Sequence, residues 1–272
     1  FLTPDFAAYR ESALASPYPH NGLVADLAHA QHGLVGYAHP FDAPVNPDKD
    51  RELSNGLPAD VALGNADYYE LVGFSDHRST ADIWYRLLNL GFRIPAGAGT
   101  DAMANYASLR GPVGMNRVFI AIVDETTPEK LHSGLKQGRT FVTNGPLLGL
   151  EIDGKHPGDD ITLSKPTTLP YHASVRSIVP IDHFELIFNG RVIASHHLNG
   201  ARTQADVSGR VEIPASGWLV LRAWNDHSDP KIQDIYPYAS TSPIYVTVDQ
   251  KLPRSPSDAA YFVSWLDRLI AG

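Results

Sequence analysis

The periodicity of this chain changes at Pro146, and that switch limits the possible folds more than any other feature of the sequence. Before it, apolar runs alternate with helical patterns. Leu23, Val24, Leu27 and Ala28 share one face of a helix expected over Asn21 to Gln31, with Gly33 beyond its end. A buried strand is expected over Leu34 to Ala38, and residues 41 to 58, rich in Pro, Asp and Asn, read as a long loop. Asp67 to Phe74, Ile94 to Gly99 and Arg117 to Val123 read as further strands. Ser79 is the expected start of a helix with Asp82 as capping-box partner, and Thr127-Pro128 opens another that runs to about Gln137. Strands alternating with helices imply a parallel sheet or barrel whose ligands lie at the strands' carboxyl ends.

After Pro146 the strands are short and follow one another closely: Leu148 to Ile152, Thr168 to Arg176, His183 to Phe188, Arg191 to Ser195, Thr203 to Ile213, Trp218 to Trp224 and Pro243 to Val248. Asn189-Gly190 between two of them is a two-residue hairpin signal. This spacing suits an immunoglobulin-like β-sandwich. A helix over Ser257 to Ile270 closes the chain. The organisation expected is therefore α/β plus all-β: a barrel-type unit over residues 1–146, a β-sandwich over 147–250, and a C-terminal helix within 251–272 that packs back on both.

Several kinds of chemistry are disfavoured at once. The net charge of -8 comes without a basic stripe, which argues against nucleic acid. Cysteine is absent, so thiolate metal sites and cysteine nucleophiles are excluded. No Gly-x-Ser-x-Gly, P-loop or dinucleotide fingerprint occurs. No apolar run reaches the ~18 residues of a membrane span. The first residues, Phe1 to Asp5, show neither an initiator Met nor a signal pattern, so the chain is expected to start inside a longer precursor. Its compartment is left open, and secretion or a periplasmic location is compatible with it.

Twelve histidines are present, and His20, His29, His32 and His39 fall close together. The first three read as ordinary helix or surface residues, although His29 and His32 are spaced as a ligand pair could be. His39 differs, because Pro40 ends the strand behind it and leaves an imidazole on the rim where α/β proteins bind ligands. Asp101 repeats that placement after Ala96-Gly97-Ala98-Gly99-Thr100, a run whose small residues let the backbone pass close to something. Glu70 lies inside the apolar run Tyr68 to Val72, where a carboxylate needs a partner. His77 follows the end of that same strand. His196-His197 and Asp226-His227 read as polar loops of the sandwich.

In order and spacing, Leu34-Val35-Gly36-Tyr37-Ala38-His39-Pro40-Phe41-Asp42, Tyr69-Glu70-Leu71-Val72 and Gly97-Ala98-Gly99-Thr100-Asp101-Ala102 resemble the later motifs of the PHP-domain (polymerase and histidinol phosphatase) metallohydrolases. Gly138-Arg139-Thr140-Phe141-Val142-Thr143-Asn144-Gly145-Pro146, followed by a sandwich, is similar to the carbaryl-hydrolase-like branch. The resemblance spans the whole chain. It implies a partial PHP-type (β/α) barrel, divalent zinc, manganese or iron in the intact parent, and hydrolysis of small-molecule carbamates, esters, amides or phosphoesters by metal-activated water. It makes His39 and Asp101 metal ligands, with Glu70 and His77 as groups that position water or carry a proton. The chain departs from the family pattern in having Met103 where the last motif usually has histidine, and in lacking the opening His-x-His motif. The expectation is a C-terminal portion whose missing barrel segment is supplied elsewhere, with weak or no metal binding and no activity alone. The alternative reading is a non-catalytic binding module, with Trp218, Trp224, Tyr236 and Tyr238 as a platform for carbohydrate or protein.

Overall fold

A computed structural model describes residues 21–50, 55–103, 105–106 and 109–271. The expectations for Phe1 to Asp5 and for His20 lie outside those residues.

Three short strands, β1 (Gly36–Tyr37), β2 (Tyr68–Val72) and β3 (Ala96–Ala98), form a parallel sheet in that order. Gly36 stands opposite Tyr68, and Tyr69 opposite Ala96. Helix α1 (Asn21–Ala30) precedes β1, and α2 (Leu57–Ala62) lies between β1 and β2. The segment over 41 to 58, expected as loop only, thus ends in one turn of helix that Pro58 starts. The strand expected over 34 to 38 is shorter and only half-buried. Its glycine explains why: a Cβ on Gly36 would stand 2.0 Å from the Tyr68 ring, and one on Gly97 would stand 2.4 Å from it. The ring of Tyr68 lies across both flanking strands, so the close approach signalled by the small residues is made to a side chain of the sheet. Gly97→Ala is expected to cost about 1–3 kcal/mol by overpacking. In urea unfolding, the double variant with Tyr68→Ala should fall well short of the sum of the two single costs. Strict additivity would show that the ring does not fill this space.

Helix α3 (His77–Asn89) turns Ile83, Trp84, Leu87 and Leu88 inward, all at most 2% exposed. It begins two residues before the expected start. Asp76, extended at φ -74° and ψ 111°, caps it by accepting from Ser79 N at 2.9 Å, so Ser79 is inside the first turn rather than the cap.

The remaining strands are β4 (Arg117–Ile120), β5 (Thr140–Thr143), β6 (Leu147–Ile152), β7 (Asp160–Leu163), β8 (Thr167–Arg176), β9 (His183–Phe188), β10 (Arg191–Ser195), β11 (Gln204–Ile213), β12 (Gly217–Trp224), β13 (Tyr238–Thr241) and β14 (Ile244–Val248). An eight-stranded sheet runs β10-β9-β12-β13-β5-β4, with β14 joining β12 to β7. A three-stranded sheet, β11-β8-β6, faces it. Between them lie Leu148 and Leu150 from β6, Tyr171 and Val175 from β8, and Leu186, Leu219 and Leu221 from the large sheet. This is a β-sandwich.

The large sheet is covered on its other side as well. Ile187, Trp218, Val220, Trp224 and Tyr238 point away from the sandwich core and pack with α3, β2 and β3. That double burial explains the apolar runs Leu186-Ile187-Phe188 and Trp218-Leu219-Val220-Leu221 in the antiparallel strands β9 and β12.

A fourth parallel strand was expected at 117 to 123, but β4 instead pairs antiparallel with β5, and β5 with β13. The outer edge of β3 is satisfied by hydroxyls: Ala96 N donates to Ser242 Oγ at 2.9 Å, and Thr140 Oγ1 donates to Ala96 O at 3.1 Å. The β1-β2-β3 sheet thus has three parallel strands and closes no barrel among the described residues; the other parallel pair, β7 with β14, lies in the large sheet. Nor does the large sheet break at residue 146, since β5 on one side of it pairs with β13 on the other.

Helix α4 (Pro128–Lys136) is capped by Thr127. Helix α5 (Pro256–Ala271) ends the described chain and lies against α2 and α3. No helix among the described residues is long and apolar enough to cross a membrane.

Candidate functional site at the ends of the parallel strands

The carboxyl ends of β1, β2 and β3 bring three of the expected residues together. His39 lies two residues past β1, Glu70 is within β2, and Asp101 lies three residues past β3. His39 and Asp101 both adopt left-handed backbone conformations, with φ of 29° and 55°. For a non-glycine residue this costs on the order of 1–3 kcal/mol and persists only where the surroundings enforce it. Here the two turns aim the side chains at each other, with His39 Nε2 3.7 Å from Asp101 Oδ2. Their side chains are 48% and 33% exposed, although Asp101 Oδ2 itself is buried and faces Arg110 Nη1.

Glu70 enforces the first turn. Its Oε2 accepts from His39 N at 2.5 Å. The carboxylate is wedged where a Cβ on Gly73 or Gly99 would approach its oxygens to 2.3 and 2.4 Å. Only glycine at both positions leaves it room. Burial raises its pKa, and the His39 amide together with the His39 and His77 side chains oppose that rise. Thr100 anchors the end of β3: its Oγ1 accepts from Asn116 N at 2.9 Å. Arg110 pairs with Asp101 and lies over the Phe74 ring, 5.1 Å from its centroid. Sequence reasoning missed Arg110, and its place in an irregular segment left no periodic signal.

His77 is elsewhere. It is 0% exposed, and its Nε2 is 2.9 Å from Asp234 Oδ2. Asn144 Nδ2 donates to that same oxygen at 2.8 Å and to Tyr236 O at 2.7 Å, while Asn144 Oδ1 accepts from Tyr238 N at 2.7 Å. The rings of Tyr236 and Tyr238 flank the imidazole, both with centroids 5.5 Å away. A fully buried ring cannot touch a substrate in this conformation, so His77 acts here as a pin between the two halves of the chain. Burial pushes the Asp234 pKa up, but the hydrogen bonds and charge of His77 and Asn144 outweigh it and hold the carboxylate below its usual range. Asn144 stands in the quoted Gly138 to Pro146 run, whereas Asp234 lies 157 residues from its partner with no motif around it.

The other histidines take structural roles where their partners are known. His29 Nε2 is 2.8 Å from Asp67 Oδ2, which also accepts from Val35 N at 2.9 Å, so His29 and His32 do not act as a ligand pair. His196 Nε2 is 3.0 Å from Tyr171 OH. Asp226 is 2.7 Å from His183 Nε2, and the His183 ring stacks on Trp224 at 3.9 Å. The aromatic platform is corrected too. Trp218, Trp224 and Tyr238 are 1%, 5% and 0% exposed, because the large sheet turns that face to α3.

The donor set meets the needs of a divalent ion only in part. An imidazole nitrogen and a carboxylate oxygen 3.7 Å apart are the right chemistry, close to the spacing of two ligands on one ion. Catalytic centres use three protein donors, however, and no group of three or more His, Cys, Asp or Glu that could hold a metal occurs among the described residues. Met103 stands at the rim, 36% exposed, and a thioether is a poor ligand for a hard ion. The described residues alone do not make a metal centre.

No family model and no curated protein matches the chain. Among solved structures, the fibronectin(III)-like modules of Clostridium thermocellum CbhA are 17% identical over 38% of this chain and 98% of theirs, with a TM-score of 0.24. The solution structure of a CARDB domain from Pyrococcus furiosus is 14% identical over 39% of this chain and 97% of its own, with a TM-score of 0.25. Its crystal structure in complex with di-metal ions is 15% identical over 38% and 96%, with a TM-score of 0.25. Likenesses this slight carry no conclusion, and the sandwich rests on its own strand pairing.

Proposed function

We propose that this chain is part of a metal-dependent hydrolase of small-molecule carbamate, ester, amide or phosphoester bonds. On this reading His39 and Asp101 are two of the metal donors, and the others come from residues outside those described. One observation carries the proposal: two left-handed, non-glycine residues just past the ends of β1 and β3, the strands that flank β2 in one parallel sheet, aim an imidazole and a carboxylate at one point. Left-handed residues also serve turns elsewhere in the chain, Asn189 among them, so the weight of the observation lies in the convergence of the two side chains at the strand ends. The resemblance of the surrounding motifs to PHP-domain proteins supports the same reading. Glu70 holds the His39 backbone, and burial raises its pKa above that of an ordinary carboxylate, the direction expected of a group that carries a proton. His77, buried against Asp234 and Asn144, acts on Glu70 only through its charge.

The test is equilibrium dialysis of the whole hydrolase of which this chain is part against Zn²⁺ and Mn²⁺, with bound metal counted by mass spectrometry, beside a panel of aryl carbamates, esters, anilides and phosphoesters. His39→Ala and Asp101→Ala are each expected to weaken metal retention at least tenfold while leaving the fold intact by circular dichroism. Retention unchanged by either substitution would remove the metal from this site and the hydrolase reading with it.

A further inference from the structure

A groove of about 2010 Å³ opens on another side of the molecule, between the outer side of α3, the β9–β10 turn and the 249–258 segment that leads into α5. It is roughly twice the upper size of ordinary small-molecule pockets. Its charge is opposite to that of the chain. Arg86, Arg93, Lys165, Arg191, Lys251 and Arg254 line it against only Asp82, Asp249 and Asp258, whereas the chain as a whole has 22 basic and 30 acidic residues.

Three of these cations are already committed: Arg86 to Asp258, Lys251 to Asp249 and Arg93 to Asp160. Lys165, Arg191 and Arg254 are exposed and form no ion pair among the described residues. Between them the groove presents aliphatic surface, with Leu252 78% and Ile193 40% exposed. Its aromatic rings are withdrawn, since Tyr85 and Phe188 are 5% and 8% exposed and the Tyr245 ring is covered by Arg93 at 4.0 Å.

We infer that this groove is a docking site for an acidic peptide segment of a partner protein, one that alternates carboxylates with aliphatic side chains. Charge complementarity supplies the attraction, and the exposed Leu252 and Ile193 supply the apolar contact. A uronic-acid glycan would satisfy the cations as well, but sugar rings dock on exposed aromatic faces, which this groove does not offer. An added strand is disfavoured, because Ile193 forms a bulge in edge strand β10 that interrupts its pairing register. The inference is independent of the hydrolase reading, since none of these residues belongs to the His39–Asp101 site.

The experiment is fluorescence anisotropy of the full chain with a labelled twelve-residue peptide of repeating Glu-Glu-Leu, set against the matching Lys-Lys-Leu peptide and against oligogalacturonate. The acidic peptide is expected to bind and to weaken several-fold between 25 and 200 mM salt. The triple variant Lys165→Glu, Arg191→Glu, Arg254→Glu should bind at least tenfold more weakly. The control triple Arg117→Glu, Lys155→Glu, Lys231→Glu, which carries the same charge change elsewhere, should stay within twofold of the unmodified chain. Equal loss in both triples, preference for oligogalacturonate, or no binding of the acidic peptide would each overturn the inference.

Discussion

Asp234→Ala is expected to lower the unfolding free energy by about 3 kcal/mol, combining a lost hydrogen bond to a charged group with the desolvated partners it leaves behind. Asp234 Oδ2 serves both His77 Nε2 and Asn144 Nδ2, and His77 Nδ1 is already buried without a partner. Removing the carboxylate leaves the imidazole with only the long contact of Nε2 to Asn144 Nδ2, at 3.5 Å. Asp234→Asn should cost only about 1 kcal/mol, because an amide oxygen can still accept from His77. The sign of the pH dependence follows from the lowered pKa of Asp234. Its contribution is present above the unfolded-state value of about 3.9 and is lost as pH falls through the folded value. Urea unfolding of Asp234→Ala and the unmodified chain should therefore differ most near neutrality and converge in acid. A double-mutant cycle with His77→Ala should show strong coupling. A cost below about 1 kcal/mol, or an additive cycle, would show that the pair does not pin the two halves together.

The effect should reach the strand ends. His77 opens α3, and the first turn of that helix holds the residues after β1: Asp76 N donates to Phe41 O at 3.1 Å, as does Thr80 Oγ1. Phe41 is two residues from His39. A loop residue far along the sequence thus helps to fix the His39 turn, and Asp234→Ala should weaken divalent-ion retention without touching either proposed donor.

Much of this was legible in the sequence, for reasons specific to each element. His183–Phe188 and Arg191–Ser195 were placed to the residue, because Asn189-Gly190 between them is a turn with few alternatives, adopting φ of 48° and 79°. The strand-end positions of His39 and Asp101 were legible because Pro40 and the glycine run punctuate them. Tyr238–Thr241 was not, since Tyr-Ala-Ser-Thr has no apolar alternation and is buried through sheet pairing on both sides. Thr140–Thr143 is not read as a strand either, so the antiparallel partner of β4 goes unseen and β4 reads as a member of the parallel sheet. Asp234 was missed for the same reason in a sharper form. Its role depends on a fold that brings together residues of both halves, and no local pattern encodes it.

Trp265→Ala should be costlier still, at about 3–5 kcal/mol for a fully buried tryptophan. Trp265 is 0% exposed and meets the edge of Phe41 at 5.6 Å between ring centroids, while its Nε1 donates to Asn55 O at 2.9 Å. The rest of α5 holds the same long segment: Tyr261 OH donates to Val45 O at 2.9 Å, and Arg268 Nη2 to Pro47 O at 3.1 Å. That segment is poor in regular structure, and α5 ties down its main chain at several points. The loss should therefore be uneven. Hydrogen exchange should quicken first in α5 and across residues 41–50, before the sandwich strands β8 and β11, whose pairing does not involve α5. Trp265→Phe keeps most of the buried area and gives up the Asn55 hydrogen bond, so a cost of about 1–1.5 kcal/mol is expected. Because Phe41 is shared between α5 and the first turn of α3, Trp265→Ala should also loosen His39, and with Asp234→Ala the two should couple at the strand ends although their own side chains touch different elements. Unchanged exchange across 41–50 in Trp265→Ala would show that the loop holds its shape alone and that α5 is a passenger on the fold.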